Sequence, residues 1–164
     1  MEIVKPDFED IYREQYDRVY TYVYTLLLNK EQAEDVVQET FISAYRNFGT
    51  FDPRRGSLRT WLCGIAHNKA MDLLRSAAYR LQVAWPETLD VGEEDAGTVK
   101  LLEEKETVLY LYRHLSPEER EFLNMRYTMG LKDCEVAAIL GISEKTANKR
   151  FQRLLKKCLG ILSP

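Results

Sequence analysis

The sequence predicts an all-α protein with two small helical domains joined by an acidic linker. Apolar residues recur at three- and four-residue intervals in residues 7–75 and again in residues 99–162, which is the period of amphipathic helices. Residues 76–98 separate the two sets. Within them, "WPETLDVGEEDAG" carries five carboxylates, two glycines and a proline, a composition that predicts a flexible tether. We find no segment with the alternating pattern of a half-buried strand.

The first domain, residues 7–75, is predicted to contain three helices. The first follows one apolar stripe from Phe8 to Leu27. The loop "GTFDPRRGS", residues 49–57, precedes the third helix, which begins after Ser57 as its N-cap. The second helix lies between them, and its apolar stripe consists of Val36, Val37, Phe41, Ala44, Tyr45 and Phe48.

The second domain, residues 99–162, begins with a predicted amphipathic helix over residues 99–115. "LSPEE" then starts a new helix, with Ser116 as N-cap and Pro117 at the first helical position. Gly130 is predicted to end this helix.

Two further helices joined at Gly141 predict a helix-turn-helix. Gly141 suits a turn conformation that a Cβ disfavours, and Ser143 caps the second helix and leaves its N-terminus open to a phosphate. In this architecture the N-terminal part of the second helix enters the major groove, so Lys145, Asn148 and Lys149 are predicted to read base edges. Arg153 is also an outward, DNA-binding position of this helix, and the residues that suit phosphates are Thr146, Arg150, Lys156 and Lys157.

The charge distribution favours a nucleic-acid contact at this end of the chain. The whole protein is acidic, with 23 basic and 26 acidic residues. Residues 116–164, in contrast, hold 9 basic and 6 acidic residues, a net charge of +3, and residues 145–157 hold six basic residues and no acidic one. A solvated basic face on a core helix is the simpler alternative, which the combined turn, cap and charge pattern disfavours.

Other features argue against a secreted, membrane or metal-dependent protein. The three cysteines form no CxxC pair, which is typical of reduced thiols in a cytosolic protein. No apolar run reaches the roughly 18 residues of a membrane span, and the N-terminus lacks the pattern of a signal peptide, so we expect a cytoplasmic protein without membrane insertion. Cys63 and His67 have the spacing of metal ligands, but two ligands on one helix do not complete a zinc site, so no metal or cofactor is predicted. No motif of an enzyme active site is present.

Four segments, in order, resemble the extracytoplasmic-function sigma factors, which are two-domain promoter-specificity subunits of bacterial RNA polymerase. "AEDVVQETFISAYRNF" (33–48) resembles the region 2 helix that docks on the β′ clamp coiled coil. "SLRTWLCGIAHNKAMDLLR" (57–75) resembles the helix that opens and reads the −10 element. "LSPEEREFLNMRYTMGL" (115–131) resembles the entry to region 4, and "DCEVAAILGISEKTANKRFQRLLKK" (133–157) resembles its −35-reading helix-turn-helix.

The resemblance implies partners and roles for particular residues. The partners are core RNA polymerase, through its β′ clamp coiled coil and β flap, promoter DNA and an anti-sigma factor. The implied polymerase-docking residues are Asp35, Gln38, Glu39 and Phe41. The implied −10 contacts, from the base-capturing loop and the helix that follows it, are Phe51, Arg54, Arg55, Arg59, Asn68 and Lys69. Ser143 and the basic helix after it correspond to the −35 contacts.

Two departures from the family pattern affect the DNA-contacting helices. Gly64 stands where family members usually have a basic residue, and Ala147 lies within "KTANKR", where "GTVKSR" is usual. A helix-turn-helix regulator that binds operator DNA without joining polymerase is the alternative function. That alternative explains residues 116–159 but leaves the order of motifs in residues 33–75 unexplained.

Overall fold

The computed structural model describes residues 7–80 and 105–163, and the regular structure within these ranges is entirely helical. The all-α prediction is therefore confirmed. The N-terminal unit, residues 7–80, consists of α1 (Phe8–Leu27), α2 (Lys30–Arg46), a short 3-10 turn (Phe48–Thr50) and α3 (Leu58–Arg80). The C-terminal unit, residues 105–163, consists of α4 (Lys105–Arg113), α5 (Pro117–Tyr127), α6 (Asp133–Leu140) and α7 (Glu144–Leu162).

Polar side chains cap most of these helices, and Ser57, Ser116 and Ser143 do so where the sequence predicted a start. The Asn29 side chain accepts a hydrogen bond from the Gln32 N–H (3.0 Å) and starts α2. Ser116 and Glu119 form a reciprocal capping box at the start of α5, which satisfies two backbone N–H groups at once. Ser57 performs the same role for α3 by accepting from the Thr60 N–H (3.2 Å).

Two predicted boundaries differ from the observed ones. Helix α3 continues to Arg80, so the first residues of the predicted tether, 76–80, are helical. The reason is local, because "SAAYR" contains neither glycine nor proline and two of its residues are alanine, the best helix former. Helix α4 ends at Arg113, two residues early. The rest of the tether and residues 99–104 lie outside the described residues.

The three helices of the N-terminal unit bury their apolar stripes against one another. Val37 and Ala44 of α2 are fully buried, as are Leu62, Ala66 and Ala70 of α3. One stripe residue was predicted incorrectly: Tyr45 is 67% exposed, because it lies about 100° around α2 from the buried Ala44 and falls outside the buried stripe. Its ring makes an edge-to-face contact with the Phe8 ring, and the rest of the side chain is exposed to solvent.

The C-terminal half of α1 is buried on every side. All residues from Val19 to Leu26 are buried, including Thr21 and Thr25. A helix that packs on one side only keeps an exposed face, so a helix buried all round must have neighbours on both sides. Here α2 and α3 cover one side, while α5 of the C-terminal unit covers the other. The two units therefore pack directly against each other through α1, and α6 extends this contact along α3.

We expect Gly141→Ala and Gly160→Ala to change stability in opposite directions. Gly141 has φ +68°, a left-handed conformation that costs a residue with a Cβ about 1 kcal/mol. Gly160 lies inside α7 with open space around its Cα, so alanine there stabilises the helix by up to about 1 kcal/mol. Urea denaturation followed by circular dichroism measures both. A loss of stability in Gly160→Ala equal to that in Gly141→Ala would contradict the assignment of Gly141 as the turn residue.

Candidate nucleic-acid interface

The helix-turn-helix consists of α6, a turn at Gly141 and α7. Left-handed Gly141 ends α6, and the Ile142 N–H donates to the Ala137 carbonyl (3.0 Å) across the turn. Ser143 Oγ accepts from the Thr146 N–H (3.1 Å) and caps α7, as predicted. Ala147 is fully buried beneath this turn. The small Ala147 side chain therefore packs where α7 lies against α6, and the outward face of α7 is left to polar residues.

The outward face of α7 is basic along its length. We call it the basic face; its members, all exposed, are Lys145, Lys149, Arg150, Arg153 and Lys156. Asn148 is also exposed, but its amide donates to Asp133 Oδ2 (2.9 Å) at the start of α6. The Asn148–Asp133 hydrogen bond fixes the orientation of the amide, so a base edge must compete with Asp133 for it.

Lys157 has a different environment from the rest of the helix. Its ammonium donates to both carboxylate oxygens of Glu119, each at 2.9 Å, and joins the end of α7 to the start of α5. Partial burial opposes ionisation of Glu119, but the hydrogen bonds from Lys157 and the Ser116 N–H outweigh it and lower the pKa of Glu119. Lys157 was predicted to contact phosphate; the structure shows it engaged within the protein.

The loop before α3 forms a small aromatic cavity. Phe51 and Trp61 lie with ring centroids 5.3 Å apart, and they line a cavity of about 270 Å³ together with Arg55 and Thr60. Arg54 is exposed and pairs with Asp52, at 3.2 Å between Nε and Oδ1. The Arg54 backbone N–H and then its guanidinium lower the pKa of Asp52. The arrangement offers an aromatic wall and a guanidinium edge, which suit a stacked planar base.

The predicted −10 residues on α3 do not share one environment. Asn68 is exposed and Lys69 is half-buried. Arg59, in contrast, is turned toward the C-terminal unit, where its guanidinium donates to the Met129 carbonyl (3.4 Å). Gly64 also faces that unit, because a Cβ at this position would lie 4.0 Å from Ile139 Cγ1. The structure therefore separates Asn68 and Lys69, which solvent reaches, from Arg59, which the C-terminal unit holds.

The predicted docking residues of α2 divide into a surface group and one core residue. Asp35, Gln38 and Glu39 are exposed on one face. Phe41 is 3% exposed, and the rings of Phe8, Tyr12 and Tyr16 pack around it. Its predicted role in direct docking is therefore wrong for this arrangement; the bulky ring is buried beneath the helix and supports it.

Two exposed apolar residues were missed by the sequence analysis. Ile42 is 45% exposed and Tyr45 is 67% exposed. They follow Asp35 and Gln38 at intervals of seven residues, which places all four on one side of α2. We call this group, with Glu39, the docking surface. The seven-residue spacing was visible in the sequence, but it was outweighed there by the apolar character of Tyr45, which favoured a core position.

A buried polar cluster joins the two units. Glu121 of α5 is 3% exposed and accepts a hydrogen bond from the Tyr22 hydroxyl of α1 (2.6 Å) and one from His67 Nδ1 of α3. The thiol of Cys63 lies beside Tyr22. Burial raises the pKa of Tyr22 and of Cys63, and the Glu121 carboxylate raises both further. Sequence reasoning considered Cys63 and His67 only as a metal pair, because nothing in the sequence shows that α5 packs on this face.

The described residues contain neither a metal-binding cluster nor a helix that could cross a membrane. Between residues 7 and 80 and between 105 and 163, no three His, Cys, Asp or Glu side chains are grouped so that they could hold a metal ion. Among the helices in the same ranges, none is long and apolar enough to cross a membrane.

Comparisons with known proteins identify both units. Residues 11–80 match the family description "Sigma-70 region 2", and residues 105–158 match "Sigma-70, region 4". The ECF RNA polymerase sigma factor BldN of Streptomyces coelicolor is 34% identical over 158 residues, which are 93% of this chain and 60% of that protein. The ECF RNA polymerase sigma factor SigK of Mycobacterium sp. (strain KMS) is 30% identical over 161 residues, 94% of this chain and 83% of that protein.

Solved structures with a similar fold over nearly the whole chain include CnrH in complex with the cytosolic domain of CnrY. Its TM-score is 0.66 and its sequence identity 25%, and the match covers 94% of this chain and 86% of CnrH.

The Lys157–Glu119 pair predicts a pH-dependent difference in stability. We expect Lys157→Gln to lower the free energy of unfolding at pH 7 by up to about 1 kcal/mol. The pKa of Glu119 is lowered in the folded protein, so the pair stabilises fully above the pKa of the unfolded state and loses its effect as pH falls through the folded pKa. The difference between Lys157→Gln and wild type should therefore shrink as the pH is lowered through the acid range, as measured by urea denaturation at several pH values.

Lys156→Gln is the control for this experiment, because Lys156 is exposed on the neighbouring position of α7 and loses the same charge. A Lys157→Gln difference that stays constant from pH 7 down to the acid unfolding of the protein would show that the ion pair is not its cause.

Proposed function

The chain belongs to the extracytoplasmic-function sigma factors of the sigma-70 family, and we propose that it is an alternative sigma factor that binds core RNA polymerase and directs it to promoters with −10 and −35 elements. The observation that carries this proposal is the presence, in order, of a region 2 unit and a region 4 helix-turn-helix unit on one chain. A helix-turn-helix regulator that does not join polymerase would account for the C-terminal unit alone.

We place the polymerase contact on the docking surface of α2. Asp35 and Glu39 supply carboxylates and Gln38 an amide, which suit the arginine-rich face of a partner helix. Ile42 and Tyr45 add exposed apolar area beside them. Interfaces with a desolvated aromatic or aliphatic centre and a polar border are typical of stable protein contacts. The docking surface has this composition, and the acidic character of the whole chain agrees with a basic partner.

We place −10 recognition on the aromatic cavity and the exposed side of α3. The cavity between Phe51, Trp61 and Arg55 provides stacking and a cationic edge for one unpaired base. Asn68 and Lys69 lie further along α3, where they can follow the separated strand. Binding unpaired bases shifts the equilibrium from duplex to open DNA, so promoter opening requires binding energy and no covalent step by this chain. The protein is accordingly not an enzyme.

We place −35 recognition on the N-terminal part of α7. Ser143 caps the helix and presents its positive end to a phosphate, while Lys145 and Lys149 are exposed beside it. The basic face continues along α7 and suits the phosphate backbone. Asn148 requires release from Asp133 before it can read a base, so we give Lys149 the leading role in base contact.

We also propose that an anti-sigma protein regulates this factor. The support is the family resemblance and the fold shared with CnrH, whose structure was solved bound to the cytosolic domain of CnrY. The proposal places the protein's action in the cytoplasm, with core polymerase.

Promoter-dependent transcription tests the function directly. Transcript 5′ ends mapped after overproduction supply candidate promoters, and run-off transcription with purified core polymerase then measures initiation from them. We expect transcripts only when this protein is added. Specific binding of the same DNA without any transcript would favour the regulator that does not join polymerase.

We expect the combined change Asp35→Ala and Gln38→Ala to weaken core polymerase binding about tenfold or more, because it removes two polar contacts from the docking surface. Binding of the −35 duplex by the same variant should be unchanged. Biolayer interferometry with immobilised core enzyme measures the affinity for polymerase, and fluorescence anisotropy measures the affinity for the −35 duplex.

Asp17→Ala is the control for the docking experiment, because Asp17 is an exposed carboxylate on α1 and is not part of the docking surface. Equal weakening of polymerase binding by Asp17→Ala would mean that net charge, and not the docking surface, determines the affinity.

We expect Lys149→Ala and Lys156→Ala to affect −35 binding in different ways. Loss of a base contact at Lys149 should cost about 1–3 kcal/mol and relax the preference at one position of the element. Loss of a phosphate contact at Lys156 should weaken all sequences alike and reduce the salt dependence by about one ion. Anisotropy titrations measure the affinity of each variant for a set of −35 duplexes that differ at single base pairs. If both variants lose affinity by the same factor on every duplex, Lys149 does not contact a base.

A further inference from the structure

We propose that Asp133, a residue of α6 outside the DNA-reading helix α7, determines the base preference of α7 by holding the amide of Asn148. While Asp133 holds it, Asn148 makes no base-specific contact; once released, Asn148 reads adenine. This inference rests on the −35 recognition proposed for α7, because it concerns which side chains of that helix can read a base pair.

The two side chains meet across the helix-turn-helix. Asp133 is the first residue of α6, and Asn148 lies 15 positions later, in the second turn of α7. The Asn148 amide donates to Asp133 Oδ2 at 2.9 Å. Asn148 is an exposed residue, so this hydrogen bond, and not the packing of neighbouring side chains, sets the orientation of its amide.

Asp133 is itself fixed from behind by Arg126 of α5. Its other carboxylate oxygen, Oδ1, lies 3.4 Å from Arg126 Nε, and only 18% of the Asp133 side chain is exposed. Arg126 in turn donates to the Leu131 carbonyl (2.7 Å), and its guanidinium carbon lies 4.6 Å from the centre of the Phe151 ring. The carboxylate is therefore anchored to the core of the C-terminal unit and cannot follow the Asn148 side chain toward a base.

The carboxylate of Asp133 is a stronger acceptor than the edge of a base. Hydrogen bonds to an ionised acceptor are roughly twice as strong as those between neutral groups. Asparagine reads adenine with its N–H and its carbonyl oxygen together, against the neutral N7 and the N6 amine. One N–H of Asn148 remains after the bond to Asp133, but the anchored carboxylate sets the plane of the amide. Asn148 must therefore break the stronger hydrogen bond before both of its groups can align with adenine.

The hold on Asn148 leaves base reading to the lysines beside it. Lys145 and Lys149 are exposed on the same part of α7, and lysine is suited to the O6 and N7 acceptors of guanine. The wild-type protein should accordingly discriminate at the base pairs that face these lysines and accept any base pair opposite Asn148. Asp133 is thus a positioning residue, which acts on DNA through the side chain that it holds.

Selection of binding sites from a library of random-sequence duplexes tests this proposal. Full-length protein is immobilised, bound duplexes are recovered at about 50 mM salt, where phosphate contacts are strong, and the recovered duplexes are sequenced. Asp133→Ala should acquire a preference of about tenfold for adenine at one position, which is the discrimination expected of one amide–adenine pair. Adding Asn148→Ala to that variant should abolish the preference. Asn148→Ala alone should leave the wild-type sequence profile unchanged.

Glu144→Ala is the matched control for the loss of a negative charge. Glu144 is the first residue of α7, as Asp133 is the first residue of α6, and its carboxylate is exposed. We expect Glu144→Ala to bind all sequences more tightly and alike, because it changes only the attraction to phosphates. An equal adenine preference in Glu144→Ala would show that lost charge, and not a released amide, is the cause.

Two results would overturn the role of Asp133. The first is the absence of an adenine preference in Asp133→Ala protein that keeps its helical circular dichroism. The second is a relaxed preference at one base pair in Asn148→Ala, which would show that Asn148 already reads DNA while Asp133 holds it. This second variant changes an exposed side chain, so it decides the matter even if Asp133→Ala fails to fold.

The selection uses no polymerase and no known promoter. Failure of promoter-dependent transcription by the wild-type protein would therefore overturn the proposed function and leave the result for Asp133 standing.

Discussion

Glu121 places a carboxylate inside the contact between the two units, and the relative position of the units depends on how that charge is satisfied. Tyr22 and His67 donate to it from two different helices of the N-terminal unit. A buried charge without such partners would cost several kcal/mol, so the contact is specific as well as apolar. It explains why α1 is buried on both sides and why Tyr22, a residue with a polar end, lies fully inside the protein.

Acidic and basic residues are concentrated on different helices, for which we propose different partners. Carboxylates collect on α2, where a polymerase contact is proposed, and basic residues collect on the outward face of α7. The acidic net charge of the chain is compatible with DNA binding because only a few surfaces approach DNA. Within the C-terminal unit, Lys157 forms an ion pair with Glu119, which joins α7 to α5 and leaves one cation fewer for the DNA contact that we propose for α7.

Helix positions were largely predictable because they depend on local rules. Apolar period, the serine caps at positions 57, 116 and 143 and the glycine at position 141 predicted the starts of α3, α5 and α7 and the end of α6. The errors lie where local sequence gives no signal. The third helix was predicted to end near residue 75, although residues 76–80 contain no glycine or proline that would end it. Tyr45 was assigned to the core because an aromatic residue on an apolar stripe is usually buried. Phe41 was assigned to the surface by resemblance, although its own periodicity had placed it in the core.

The sequence by itself determined the helical elements, the helix-turn-helix, the basic character of α7 and the family to which the chain belongs, because each depends on residue type and spacing along one segment. Only the tertiary structure decided which of the candidate residues are free to act. Arg59, Asn148 and Lys157 look equivalent to their neighbours in the sequence, yet each is held by a partner on another element. Pairings of this kind join residues up to 99 positions apart, as Tyr22 and Glu121 do, and such contacts arise only when separate helices pack.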